Sequence, residues 1–132
     1  MLPTVRRFSM TTAYSTMNLD DLFVQAILAP RSDLSLRVDL HRLWLASSSD
    51  RWYAGSGATL TEGGGFGYAG RPSNGERGLG TSIETSANYT VNNRWSVNGF
   101  VGYLRGGPVV TGTFAGDGMW FSYFENVLRL GR

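Results

Sequence analysis

The feature that most constrains the fold is a long alternation of apolar and polar residues in the segment DLSLRVDLHRLWL. Its apolar face carries Leu34, Leu36, Val38, Leu40 and Trp44, and its polar face carries Ser35, Arg37, Asp39 and His41. A period of two predicts a β-strand whose two faces meet different environments. The run is longer than the roughly five or six residues of a common soluble strand. It is long enough for a tilted transmembrane strand, which needs about 9–11 residues.

The same period recurs along the chain. The segments DLFVQAILAP, TSIETSANYTV and RWSVNGFVGY each alternate, the first less clearly because Phe23 and Ile27 share a face with Gln25. The last segment, MWFSYFENVLRL, carries aromatic residues on both faces, and we assign Phe124, Leu128 and Leu130 to its apolar face and Glu125 and Arg129 to the other. These segments predict about five long strands.

The connections between these segments alternate in length. Residues 30–33 and the pair Asn92-Asn93 predict short turns, since asparagine tolerates the backbone of two-residue hairpins. Long connections cover roughly residues 46–79 and 106–117. All short turns then lie at one end of the sheet and all long loops at the other, as in outer-membrane barrels. We therefore predict an all-β fold, an antiparallel up-and-down meander that forms part of a transmembrane β-barrel.

Composition excludes several classes of protein. The chain of 132 residues has no cysteine and one histidine, which excludes disulfide frameworks, thiolate metal sites and multi-histidine metal sites. A net charge of +2 gives no argument for a nucleic-acid partner. No apolar run reaches the roughly 20 residues of a membrane-spanning helix. The segment MLPTVRRFSM lacks the apolar region of a signal peptide.

A glycine-rich segment, GGGFGYAG, contains the spacing G-x-G-x-x-G at Gly65, Gly67 and Gly70. The dinucleotide-binding fingerprint also needs a preceding strand, a following helix and an acidic residue about 20 positions later. Here RPSNGERG follows, and its proline and glycines break helices. We expect an outer loop and no nucleotide cofactor.

Several segments resemble the alginate-export family of Gram-negative outer-membrane β-barrels. The most specific is LSLRVDLHRLWLASSSDRWYAGSG, with the family-like residues Trp44, Leu45, Ala46, Asp50, Trp52 and Tyr53. LGTSIETSANYTVNNRWSVNGFVGYL resembles the following hairpin, DGMWFSYFENVLRL the closing strand, and LPT the preceding loop. The resemblance runs from about Leu2 to Leu130. It implies that residues 1–132 form the C-terminal portion of such a barrel domain.

The resemblance also implies a function and a location. The function is passive export of an anionic polysaccharide, alginate, through the outer membrane of a Gram-negative bacterium. The expected partners are outer-membrane lipid, the polysaccharide and the barrel-assembly machinery. Five strands are fewer than the roughly eight of the smallest common barrels. We therefore expect further strands and a signal peptide upstream of this chain.

The alternation assigns side chains to two environments. The predicted lumen-facing residues are Arg37, Asp39, His41, Glu84, Asn88, Asn98, Glu125 and Arg129. Trp44, Trp95 and Tyr103 are predicted to lie at the membrane interfaces, and Arg42 at the outer headgroup level, where an arginine on the lipid face costs least. The lumen residues either tune selectivity or form a solvated wall of ion pairs. Asp39 and His41 share a face but have no placed nucleophile, so we predict no enzymatic activity and no metal.

Two other functions stay open at this point. A general porin of the same architecture would carry other solutes. A soluble β-sandwich module would instead bind carbohydrate, with its aromatic residues in the core or as stacking platforms.

Overall fold

The computed structural model describes residues 17–53 and 70–130, which form one antiparallel sheet with the strand order β1-β2-β3-β4-β5. The elements are β1 (Leu19–Arg31), β2 (Leu34–Leu45), β3 (Gly78–Asn92), β4 (Trp95–Gly106), α1 (Pro108–Thr111) and β5 (Gly118–Leu128). Each strand pairs with the next one along the chain. The predicted all-β meander of five long strands is confirmed.

The strands meet at short turns at one end of the sheet. Asn92 accepts a hydrogen bond at Oδ1 from the backbone N–H of Arg94, at 2.9 Å, and so closes the β3–β4 turn. The backbone N–H of Thr90 donates to the carbonyl of Asp33 at 2.8 Å, which joins the two turns. The connections from β2 to β3 and from β4 to β5 lie at the opposite end, so the predicted asymmetry of connections is present in the sheet.

The pairing register keeps each face of the sheet consistent across the strands. Val38 of β2 lies opposite Ala26 of β1 and Thr85 of β3, and Thr85 lies opposite Val101 of β4. Since the side chains of paired residues point to the same side, all the apolar strand faces join into one surface. The polar faces join on the other side.

The centre of the polar face is buried, whereas much of the apolar face is exposed. On the polar face, Asp39, His41 and Glu84 are 2%, 0% and 1% exposed. On the apolar face, Leu40 is 50% exposed and Trp120 is 73% exposed. Soluble proteins rarely bury ionisable side chains while leaving an apolar surface of this extent uncovered.

An apolar core lies at the long-loop end of the sheet. Leu43, Leu45, Trp52, Leu79, Leu104, Val109 and Val110 form this core, and Leu19 packs against it. The short helix α1 supplies the two valines and begins with a proline at its first turn, where a missing N–H costs nothing. The helix lies within the predicted long connection between β4 and β5, where the sequence interpretation assigned no element. No helix in the described part of the chain is long and apolar enough to cross a membrane.

The glycine-rich segment lies mostly outside the described residues, including Gly65 and Gly67. Gly70 is described, and the next residue, Arg71, pairs with Trp52 in an isolated β-bridge. Residues 72–77 then lead directly into β3. Residues 70–78 therefore contain no helix that could complete a dinucleotide-binding turn.

Candidate functional site: the polar face of the sheet

The register brings together almost all of the predicted lumen residues on the polar face. Arg37, Asp39 and His41 come from β2, Glu84 and Asn88 from β3, Asn98 from β4 and Glu125 from β5. Arg129 is the exception, since it follows the end of β5 and donates its backbone N–H to the carbonyl of Arg94 at 2.8 Å.

The centre of this face is a buried cluster of charged side chains. The Nε atom of Arg37 donates to Oδ2 of Asp39 at 2.5 Å. Asp39 lies directly opposite Glu84 in the β2–β3 pairing. One carboxylate oxygen from each of these acids and one ring nitrogen of His41 lie within 4.8 Å of one another. These groups could hold a metal ion.

His41 is held in place by β1. Its Nδ1 atom lies 2.9 Å from Oδ2 and 3.1 Å from Oδ1 of Asp21. The ring stacks on Phe23, with centroids 5.3 Å apart and an angle of 22° between the planes. Both neighbours therefore fix the ring orientation.

Asp21 is a site residue that the sequence interpretation missed. It lies opposite Leu43, so it reaches His41 diagonally across the strand pair. Asp21 and Gln25 are four residues apart on β1, so they lie on the same face of the strand, and Gln25 is opposite Asp39. Using this signal required the register between β1 and β2, which the residue pattern alone did not give.

Aromatic side chains divide the polar face into two regions. Phe100 stacks on Tyr123 with centroids 5.2 Å apart and meets Phe121 edge-on at 6.2 Å. Beyond them, towards the short turns, the Nδ2 atom of Asn98 donates to Oε2 of Glu125 at 3.0 Å. This second region is more exposed than the cluster around Asp39.

The described strands place more negative than positive charge on the polar face. Asp21, Asp39, Glu84 and Glu125 face a single arginine, Arg37, in addition to His41. The face is therefore a polar wall with an excess of carboxylates.

The opposite face carries the predicted interface aromatics at both ends of the strands. Tyr103 packs against Trp120 near the long-loop end, with ring centroids 4.7 Å apart, and Trp44 lies one residue before the end of β2. Trp95 begins β4 beside the short turn and donates from Nε1 to Oδ1 of Asn126 at 3.2 Å.

Arg42 lies on this apolar face close to the long loops. Its Nη1 atom donates to Oγ1 of Thr81 at 2.9 Å, and Arg105 lies opposite Thr81 on the other side. A shallow cavity of about 470 Å³ between the two arginines has Leu40 and Ile83 among its lining residues. Arg42 and Arg105 therefore border an apolar surface at the same level along the strands.

The long connections pack on each other beside the apolar core. Trp52 meets Phe114 edge-on at 6.0 Å, and the guanidinium of Arg71 lies 4.7 Å from the centre of the Phe114 ring. Tyr53 donates from its hydroxyl to Oδ1 of Asp50 at 2.9 Å. This hydrogen bond to Asp50 raises the pKa of Tyr53 above its usual value of 10.0, since it stabilises the neutral phenol.

Comparison with known proteins gave no relationship: no family model, no curated protein and no solved structure matches this chain. The residues themselves carry the functional argument.

Proposed function

We propose that this chain forms part of the wall of an outer-membrane β-barrel channel in a Gram-negative bacterium. The observation that carries the proposal is the burial of the charged cluster at the centre of the polar face combined with the exposure of an apolar face that crosses all five strands. In this proposal the apolar face contacts lipid and the polar face lines the lumen.

The energetics favour lipid over water for the apolar face. Moving a leucine, valine or phenylalanine side chain out of water contributes about 1.5–3 kcal/mol. The face leaves Leu22, Val24, Leu28 and Phe124 between 59% and 70% exposed. A hydrocarbon environment removes this cost while leaving the paired charges on the other face unaffected.

The strand lengths fit a bilayer. The 12 residues of β2 would span about 29 Å of membrane depth at a tilt of about 45°. The apolar band of an outer-membrane barrel is about 25 Å tall, with aromatic residues at its borders. Trp44 and Trp95 lie near opposite ends of the sheet, as this arrangement requires.

The outer edges of β1 and β5 need partners in a membrane. In the sheet formed by residues 17–53 and 70–130, both are edge strands. Exposed strand amides cannot lie in hydrocarbon without hydrogen bonds. We propose that further strands pair with these edges and close the barrel.

The long-loop end of the lumen would be narrowed by the loops themselves. The helix α1 and Trp52 pack onto Leu43, Leu45 and Leu104, which lie on the polar-face side of the strands. In the proposed channel, this core restricts the extracellular mouth.

The proposed cargo is an anionic polysaccharide of the alginate type, and its support is the sequence resemblance. Arg37 can pair with a uronate carboxylate, since guanidinium groups bind carboxylates through two parallel hydrogen bonds. The excess of carboxylates on the described wall favours a second candidate, a general porin for neutral or cationic solutes.

The membrane arrangement can be tested with two neighbouring cysteine variants, since the chain contains no cysteine of its own. Ala87→Cys and Asn88→Cys are adjacent in β3 and lie on the apolar and polar faces. After reconstitution in phosphatidylcholine vesicles, each variant is labelled with an environment-sensitive fluorophore. We expect the label at position 87 to be quenched by lipid-bound nitroxide and the label at position 88 by aqueous iodide.

Equal quenching of both labels by iodide would contradict the proposal, as would recovery of a folded, monomeric chain outside the vesicle fraction after flotation. The latter result would favour the soluble carbohydrate-binding module. The cargo is tested separately by vesicle efflux of oligouronates and of neutral oligosaccharides of matched length. Preferential efflux of the neutral sugar would favour the general porin over the polysaccharide exporter.

A further inference from the structure

We propose that Asp39, His41 and Glu84 form a binding site for a divalent transition-metal ion, with Zn²⁺ as the best-matched example. The three side chains come from β2 and β3, and their ligand-type atoms lie within 4.8 Å of one another. All three are buried. The proposal depends on these side chains and not on the cargo of the channel.

The strongest observation is the state of the His41 ring. Its Nδ1 atom interacts with Asp21, whereas Nε2 is buried and has no hydrogen-bond partner. A carboxylate on one ring nitrogen fixes the proton there and leaves the other nitrogen as a lone-pair donor. Metal-binding histidines have this arrangement, with a carboxylate beyond the ring.

Two further oxygen atoms in the cluster lack partners. Oδ1 of Asp39 is buried without a hydrogen bond, although Oδ2 is paired with Arg37. Oγ of Ser82 is also buried and unpartnered, and Ser82 lies directly opposite His41. A buried polar atom without a hydrogen-bond partner destabilises the fold. Unpartnered atoms on Asp39, His41 and the paired Ser82 favour a bound ligand beside them.

The charges favour a cation over an anion. Asp21, Asp39 and Glu84 are acidic, and Arg37 is the basic side chain that pairs with Asp39. A metal cation bound here would offset this excess of acidic groups.

The ligand types select among metals. One imidazole and two carboxylates suit Zn²⁺ and related ions better than Ca²⁺ or Mg²⁺, which prefer oxygen ligands alone. Zn²⁺ binds these atoms at about 2.0–2.2 Å, which places the ligands of a tetrahedral site about 3.4 Å apart. The three atoms would therefore approach one another by at most about 1.5 Å on binding.

A metal ion here would join β2 to β3 through its ligands, and Asp21 would connect it to β1. Asp21 would act as a positioning residue, since it holds the ring and does not touch the ion. Loss of such a partner weakens metal affinity by about 10- to 100-fold in other proteins.

The single histidine makes the test direct, because one residue gives all imidazole signals. The full chain, without a histidine tag, is labelled with ¹⁵N-histidine, folded in detergent micelles and titrated with Zn²⁺. We expect the Nε2 resonance to shift with saturation at one equivalent, while the same concentration of Mg²⁺ produces no shift. An unchanged Nε2 resonance in the folded chain would overturn the proposal.

Variants then separate the site from general binding to acidic side chains. Asp39→Asn and Glu84→Gln preserve side-chain volume and should each weaken Zn²⁺ binding at least tenfold. Glu125→Gln is the matched control, since Glu125 lies on the same face but bonds to Asn98. Equal affinities in all three variants would overturn the site. Zn²⁺ binding by a folded, monomeric chain that stays outside vesicles would support this site while contradicting the membrane proposal.

Discussion

Replacing Val38 by arginine tests whether the apolar face lies in lipid. Val38 is at the middle of this face and lies opposite Ala26 and Thr85 on the neighbouring strands. Its side chain is 37% exposed, so an arginine can extend outwards without displacing a packed neighbour. In water the substitution would therefore have little effect on folding.

The expected penalty follows from depth in the membrane. Leu34 and Arg42 are each four residues from Val38, which corresponds to about 10 Å of depth at a rise of 3.4 Å and a tilt of about 40°. Half of a 25 Å apolar band is about 12 Å. If Val38 is at the midplane, both other positions lie near the borders, where Arg42 can extend to the headgroups.

Arginine on the lipid face costs about 2–4 kcal/mol at the midplane and about 0–1 kcal/mol near the borders. Val38→Arg should therefore lower the equilibrium constant for insertion about 30-fold to 700-fold, since 1.4 kcal/mol corresponds to a factor of ten. Leu34→Arg is the matched control on the same strand and face, and should change the equilibrium constant for insertion less than about fivefold.

The measurement is a urea titration of tryptophan fluorescence for the chain in phosphatidylcholine vesicles, with and without each substitution. Similar effects of Val38→Arg and Leu34→Arg would refute the depth argument. A large effect of Val38→Arg in vesicle-free buffer would refute lipid contact, because another protein surface would then cover the face. The latter result would support a β-sandwich.

Three further predictions concern the long-loop end of the sheet. Leu79→Ala should reduce the free energy of unfolding by about 2–5 kcal/mol in a denaturant titration, since Leu79 is buried in the apolar core; an effect below 1 kcal/mol would contradict that packing. Gly107→Ala should lower the thermal midpoint because the added carbon would lie 2.5 Å from a backbone carbonyl, whereas Gly99→Ala, with open space around it, should not; equal midpoints would contradict the close approach. The pKa of Tyr53 should lie above 10.0 in an NMR pH titration, and Asp50→Asn should lower it, because Asp50 stabilises the neutral phenol. Since the folded-state pKa is raised, the stabilising hydrogen bond from Tyr53 to Asp50 is present below pH 10 and is lost as pH rises through the folded-state pKa.

The strand positions could be predicted from the sequence because each strand alternates over many residues. In β2, the polar residues Arg37, Asp39 and His41 lie on one face of the strand. The β2–β3 register places Glu84 on the same face of the sheet. The turn at Asn92 was also predictable, since asparagine caps such hairpins through its own side chain. These signals are local, and local signals can be read from one sequence.

The apolar core at the long-loop end was not predictable in the same way. Its members come from three strands, one helix and one loop, and they share no period. Trp52 and Val109 are 57 positions apart, so only the folded chain brings them together. The helix α1 has four residues, too few for a helical period to show in the sequence.

The proposed metal site is of a kind that the composition does not exclude. A single histidine excludes sites with several imidazoles, but it leaves open a site completed by carboxylates. Asp39 could be placed beside His41 from the alternation, whereas Glu84 and Asp21 reach the ring through the strand register. The number of metal ligands in a sheet therefore depends on pairing between strands as well as on composition.

Alternation with period two defines two faces, but it does not say which of them is buried. In water the apolar face would pack inwards, and Asp39 and His41 would be solvated. The structure has the opposite arrangement, and its buried charges are linked through Arg37 and Asp21, so the polar face is organised around its own contacts. A sheet that encloses its charges and exposes its aliphatic side chains is at its free-energy minimum only where the surrounding medium is apolar. Under the membrane proposal lipid supplies that medium, whereas a second protein layer would supply it in a β-sandwich, and the Val38→Arg series distinguishes the two.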